Sequence, residues 1–62
     1  MKKGDLVNYY DVVGLIISHD RIFDIFTIVV LKKTDIYTIG DKIKNIKRKN
    51  LSRYKGKILL EN

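Results

Sequence analysis

The chain has 62 residues, with 13 Lys and Arg against 7 Asp and Glu, a formal net charge of +6 and 45% hydrophobic residues. This length allows one domain, spanning residues 1–62, with one small core. The absence of cysteine and the presence of a single histidine exclude a disulfide framework and a Cys/His zinc site.

The apolar residues are too interrupted for a membrane span, because their longest run falls far short of roughly 20 residues. Met1, Lys2, Lys3 and Gly4 lead directly into a strand pattern, without the apolar stretch of a signal peptide. We therefore expect a cytoplasmic protein that makes no membrane contact.

Runs of β-branched and aromatic residues predict strands at residues 5–8, 13–18 and 25–31. Residues 19–21 are typical of a hairpin loop, and residues 32–34 link the third strand to a fourth at 35–39, so the strands should form an antiparallel meander. Both faces of this sheet are partly apolar, which favours a curved sheet that closes on itself.

The segment from residue 40 to 55 allows two interpretations. Its apolar residues follow a helical spacing with a basic opposite face, as in an amphipathic helix. However, Asn45, Asn50 and Ser52 disfavour a helix interior, and residues 42–44 alternate like a strand. We favour a short strand at 42–46, a helical turn within 47–54 and a last short strand at 57–60, with a continuous basic helix as the alternative.

The positive charge is concentrated in the last third of the chain. Residues 1–36 carry five basic and five acidic residues, whereas residues 37–62 carry eight basic residues against Asp41 and Glu61. Cations placed on phosphates release condensed counterions, which gives salt-sensitive binding that does not depend on base sequence; the competing interpretation is a solvated lysine-rich face. The basic segment 42–57 comprises Lys42, Lys44, Lys47, Arg48, Lys49, Arg53, Lys55 and Lys57.

Tyrosines lie at both ends of this segment and in the first strand region. Tyr37 and Tyr54 either stack on bases or complete the core, and we include Tyr54 in the predicted nucleic-acid interface. Tyr9 and Tyr10 are neighbours near a strand end, so one should point inward and the other outward, where it would be a surface contact.

No constellation of residues indicates catalysis. His19 and Asp20 are adjacent in a predicted loop without a nucleophile, so we expect a solvated histidine. Asp11, Asp20 and Asp24 lack the spacing of a calcium loop. We predict a protein that is not an enzyme and uses no metal or cofactor.

The order of these signals resembles the SH3-like small barrels, particularly KOW-type and Tudor-like modules. The matching stretches are Gly-Asp-Leu-Val at 4–7, Val-Gly-Leu-Ile at 13–16, the long apolar third strand and Lys-Asn-Leu at 49–51. Small bacteriophage proteins look similar. The resemblance implies an all-β, five-stranded antiparallel barrel that binds RNA, DNA, peptides or proteins, in the host cytoplasm or the virion if phage-encoded. The chain lacks Trp and Pro, which argues against polyproline recognition.

The sequence thus favours a small basic module that contacts nucleic acid, a nucleoprotein assembly or an acidic protein surface through residues 42–57. The alternative is a protein interaction module, such as a phage accessory or virion component or an inhibitor of a host protein, which would use its apolar strand surface or form a homo-oligomer.

Overall fold

A computed structural model describes residues 1–56 of the chain. These residues form one antiparallel sheet of five strands with the order β4-β3-β2-β1-β5, which confirms the predicted all-β class. One 3-10 turn, η1, is the only helical element among them. The elements are β1 (Leu6–Tyr9), β2 (Val12–Asp20), β3 (Ile25–Val30), β4 (Lys42–Lys47), η1 (Arg48–Asn50) and β5 (Leu51–Arg53).

The sheet is open within the described residues. β4 and β5 are its two edge strands, and no backbone hydrogen bonds pair them. The sheet therefore does not close on itself by strand pairing within residues 1–56, as the sequence had predicted it would. The strand predicted at 57–60 lies outside the described residues.

The first three predicted strands are confirmed, but β2 extends to Asp20. The turn therefore occupies residues 21–24 rather than 19–21. The Oδ1 atom of Asp20 accepts hydrogen bonds from the backbone N–H groups of Ile22 and Phe23, at 2.9 and 3.3 Å. This Asp side chain substitutes for backbone pairing inside the turn.

The strand predicted at residues 35–39 is wrong. These residues belong to the connection 31–41 between β3 and β4. The hydroxyl of Thr34 accepts hydrogen bonds from the N–H groups of Ile36 and Tyr37, at 3.2 and 2.9 Å. Local bonds of this kind compete with a strand ladder, which the alternation of apolar residues does not reveal.

The segment 42–47 is a strand, as favoured, and the continuous helix is wrong. Ile43 and Ile46 both face inward although they are three residues apart, because a bulge inserts an extra residue between them. Asn45 occupies the bulge with φ of 60°, in the left-handed region that Asn tolerates better than most residues. The helix-like spacing in the sequence thus comes from a bulged strand.

A second bulge lies in β2. Ile16 pairs with Ile28, whereas Ser18 pairs with Thr27, so β2 gains one residue at Ile17. His19, two residues beyond the bulge, is thereby placed opposite Phe26, on the core face of the sheet.

The core lies on one face of this bent sheet and contains no buried polar side chain among the described residues. Its members come from all five strands: Val7, Val12, Ile16, Phe26, Ile28, Val30, Ile46 and Leu51. Four partly buried residues pack against it: Met1, Tyr9, Tyr37 and Ile43.

Candidate nucleic-acid interface

The lysines of β4 and η1 form a continuous exposed strip, which we call the lysine strip. Lys42, Lys44 and Lys47 lie on the edge strand, and Lys49 follows in η1. All four are exposed, while the intervening Ile43 and Ile46 point toward the core. Lys42 and Lys44 are roughly 7 Å apart along the strand. The strip lies along one edge of the sheet.

The charge of the lysine strip is not neutralised within the described part of the chain. Among residues 1–56, the carboxylate of Asp24 forms an ion pair with Arg48 and a short polar contact with His19. No lysine takes part in them. Lysine ammonium groups without carboxylate partners are available to external anions and create a positive potential along this edge.

Arg48 belongs to the predicted binding set but is engaged in the fold. Its Nε donates to Oδ2 of Asp24 and one terminal nitrogen donates to Oδ1, both at 2.9 Å, in a bidentate pair. Its guanidinium carbon also lies 5.1 Å from the centre of the Phe26 ring. Arg48 therefore ties the β2–β3 turn to η1, and we leave it out of the lysine strip.

His19 is not the solvated loop residue that the sequence indicated, so that expectation is wrong. It lies in β2, stacked on Phe26 with ring centres 4.2 Å apart and planes 4° apart. Its Nε2 lies 2.7 Å from Oδ1 of Asp24. The bulge at Ile17 sets this orientation, and bulges are difficult to locate in a sequence.

Asp24 is the centre of this cluster, and its φ of 51° brings the carboxylate to both partners. The hydrogen bonds from Arg48, followed by the contact with His19, lower the pKa of Asp24 from 3.8 to about 2. The carboxylate is therefore ionised at neutral pH and holds the turn against η1.

The tip of the β2–β3 turn exposes two large apolar side chains. Ile22 is 87% exposed and Phe23 is 73% exposed. The hydrogen bonds to Asp20 on one side and the Asp24–Arg48 pair on the other fix the backbone that carries them. We did not predict this feature; the available signal was the pair of bulky apolar residues between two aspartates at a strand connection.

A second basic cluster forms near the amino terminus. Lys2, Lys3 and Arg21 line a shallow groove of about 400 Å³ together with His19 and neighbouring β2 residues. The sequence count gives residues 1–36 a net charge of zero because it includes five aspartates, among them Asp5, which accepts a hydrogen bond from the Lys2 N–H, and Asp20 beside Arg21. Spatial proximity, rather than the local charge total, defines this cluster.

The remaining predicted cations lie at or after the other edge strand. Arg53 is exposed on β5, and Lys55 is exposed just after it. Tyr54 is half-buried, and its N–H donates to the Leu6 carbonyl at 3.1 Å, so the predicted interface is divided between β4 and β5. Lys57 lies outside the described residues.

A groove of about 550 Å³ lies between the β1–β2 turn and the 31–41 connection. It is lined by Tyr9, Tyr10 and Tyr37 with the carboxylates of Asp11 and Asp35. Tyr9 packs on the core and Tyr10 is 70% exposed, so Tyr10 is the surface side chain of the pair. Their rings meet edge to face at 4.7 Å.

Within residues 1–56, no three His, Asp or Glu side chains are grouped as metal ligands. None of the helical structure in that range has the length and apolar character required to cross a bilayer. No protein-family model, curated protein or solved structure matches the chain.

Proposed function

We propose that this protein is a non-enzymatic nucleic-acid-binding module of the SH3-like type, which contacts phosphates through the lysine strip. The observation that supports the proposal is the alignment of Lys42, Lys44, Lys47 and Lys49 on one exposed edge without carboxylate partners among residues 1–56. Lysines on an edge strand also prevent the strand from pairing with other chains. Protection of the edge strand does not explain Lys49, however, because this lysine lies beyond β4 in η1.

Four phosphate contacts give a measurable salt dependence. The slope of log K against log salt is about −0.7 per contact for single strands and −0.9 for duplex, hence about −2.8 or −3.6 for four contacts. Affinity should therefore fall about 50- to 150-fold between 50 and 200 mM salt. An interface formed by apolar contacts would change little over this range.

The test is a fluorescence-anisotropy titration with labelled single-stranded RNA, single-stranded DNA and duplex DNA across this salt range. The double variant Lys44→Gln/Lys47→Gln should reduce the magnitude of the single-strand slope by about 1.4. The matched control, Arg53→Gln/Lys55→Gln, removes the same charge on and just after β5, the other edge strand, and should leave most of the slope unchanged. Equal effects of the two double variants, or no binding at low salt, would refute the proposal.

The tyrosine-lined groove supports a second candidate function, a protein interaction module. Aromatic faces attract cations, and Asp11 and Asp35 add negative charge at the same place. The fitting partner is a peptide segment with a Lys or Arg side chain. A labelled Arg-rich peptide should bind with an affinity that Tyr10→Ala and Asp35→Asn each lower, whereas equal binding by these variants would exclude this groove.

A further inference from the structure

We propose that Phe23, supported by Ile22, stacks on an unpaired base, so that the module binds single-stranded nucleic acid in preference to duplex. This inference rests on the proposed function, because the lysine strip would supply the phosphate contacts. It assigns a base-contacting role to the turn between β2 and β3.

The exposure of the tip is the first argument. Phe23 is the most exposed aromatic ring among the described residues, at 73%, and Ile22 beside it is 87% exposed. The core does not use either side chain. A turn at this position is normally polar, so two bulky apolar side chains suggest that this surface is covered by a ligand.

The rigidity of the turn is the second argument. Asp20 accepts hydrogen bonds from both N–H groups at the tip, and the bidentate Asp24–Arg48 pair anchors the turn to η1. A ring held on a fixed backbone loses less conformational entropy when it binds.

The charge on either side of the tip is the third argument and identifies the ligand. β2 and β3 are adjacent central strands, with β4 beside β3 and β1 beside β2. Lys47 pairs with Ile25 just after the turn, so the lysine strip approaches the tip from the β4 side. Lys2 and Lys3 lie with Arg21 in the groove on the other side. A strand that crosses the tip thus meets cations before and after the ring.

This order of cation, ring and cation fits a polyanion that carries flat apolar groups between its charges. Base stacking on an aromatic side chain contributes to single-strand binding and tolerates any base. In a duplex the base faces are already stacked on each other, so Phe23 has no face to contact without unstacking the bases. Phe23 would therefore determine the preference for single strands over duplex, and the lysines would determine the overall affinity.

The experiment uses the full chain and oligothymidylate as the single-stranded probe. Since the chain contains no tryptophan, Phe23→Trp introduces a single reporter. Its fluorescence should be quenched when the oligonucleotide binds, and its affinity should equal or exceed that of the parent protein. Tyr10→Trp places the same reporter at another exposed aromatic position, and its fluorescence should not be quenched.

Affinity measurements complete the test. Phe23→Ala should bind oligothymidylate about 5- to 150-fold more weakly, with an unchanged salt slope and little change for duplex. Phe23→Leu keeps an apolar side chain but no ring, so it should show most of the same loss. Ile39→Ala, at another exposed apolar position, is the control and should bind normally. Circular dichroism should report the same fold for every variant, since both positions are exposed.

The outcomes separate this inference from the proposed function. A smaller salt slope in the Lys44→Gln/Lys47→Gln variant together with normal binding by Phe23→Ala would overturn the stacking role and leave the phosphate contact in place. No binding by the parent protein would overturn both. A Phe23→Trp signal that responds to anionic lipid vesicles and not to oligothymidylate would also refute the inference, because the tip would then contact a membrane surface.

Discussion

Gly14 lies where β2 closely approaches β3, and Gly14→Ala tests this close approach. Gly14 is buried in β2, and its backbone lies outside the left-handed region, so alanine fits the local conformation. A Cβ atom there would lie 2.7 Å from Cδ1 of Ile28 and 3.1 Å from the carbonyl oxygen of Val29. The substitution should therefore destabilise the fold by steric overlap alone.

The magnitude follows from these contacts. Overpacking a core costs about 1–3 kcal/mol, and the lower entropy of an unfolded chain with alanine offsets about 0.4–1 kcal/mol. We expect a net loss of about 1–2 kcal/mol, which is a large part of the roughly 3–9 kcal/mol expected for a chain of this size. The melting temperature should fall by about 4–16 °C.

Ile28→Val provides the matched second substitution because it removes the Cδ1 atom that the new methyl would meet. Alone it should cost about 0.5–1.5 kcal/mol. In the double variant the overlap at 2.7 Å disappears, so the loss should be smaller than the sum of the single losses by about 0.5 kcal/mol or more. Urea unfolding of the four proteins measures this coupling. Additive losses, or a neutral Gly14→Ala, would refute the close approach of β2 and β3.

Three further substitutions test the local structure around the interface. Because the pKa of Asp24 is lowered to about 2, its contribution to the free energy of unfolding is present above about pH 4 and is lost as the pH falls toward 2. In urea unfolding at several pH values, Asp24→Asn should therefore lose less stability between pH 4 and 2 than the parent protein, and equal losses would contradict this prediction. Asn45→Val should lower the free energy of unfolding by about 1–2 kcal/mol, because a β-branched residue disfavours the positive φ at this position. Asn8→Val in β1 should leave the free energy of unfolding nearly unchanged, and equal effects of the two substitutions would count against the bulge. Thr34→Ala should lower the melting temperature more than Thr38→Ala, because Thr34 accepts two backbone hydrogen bonds, and the opposite order would exclude this turn.

Part of the fold could be predicted because runs of β-branched residues indicate strands without any knowledge of tertiary contacts. The strands β1, β2 and β3 coincide with such runs, and their short connections favour antiparallel pairing. The strand nature of residues 42–47 was also indicated by alternation near Lys42 and by the poor helix propensity of Asn45. Residues 35–39 were mistaken for a strand because the sequence does not reveal the hydrogen bonds from Ile36 and Tyr37 to the Thr34 hydroxyl.

The candidate site was predicted less completely, since charge along a sequence is not charge in space. The sequence located the lysines of β4 but grouped them with Arg53, which lies on the other edge strand, and Lys55, which follows it. It also counted Arg48 as a phosphate ligand, whereas Asp24, 24 residues away in the chain, binds its guanidinium.

The sequence by itself determined the all-β class, the approximate strand positions and the excess of positive charge, because these depend on side-chain propensity and composition. The tertiary structure alone decided the two bulges, the contact of His19 with Phe26 and the exposed tip at Phe23 between two basic clusters. A single extra residue reverses which side chains face the core, and its position depends on pairing between strands distant in sequence.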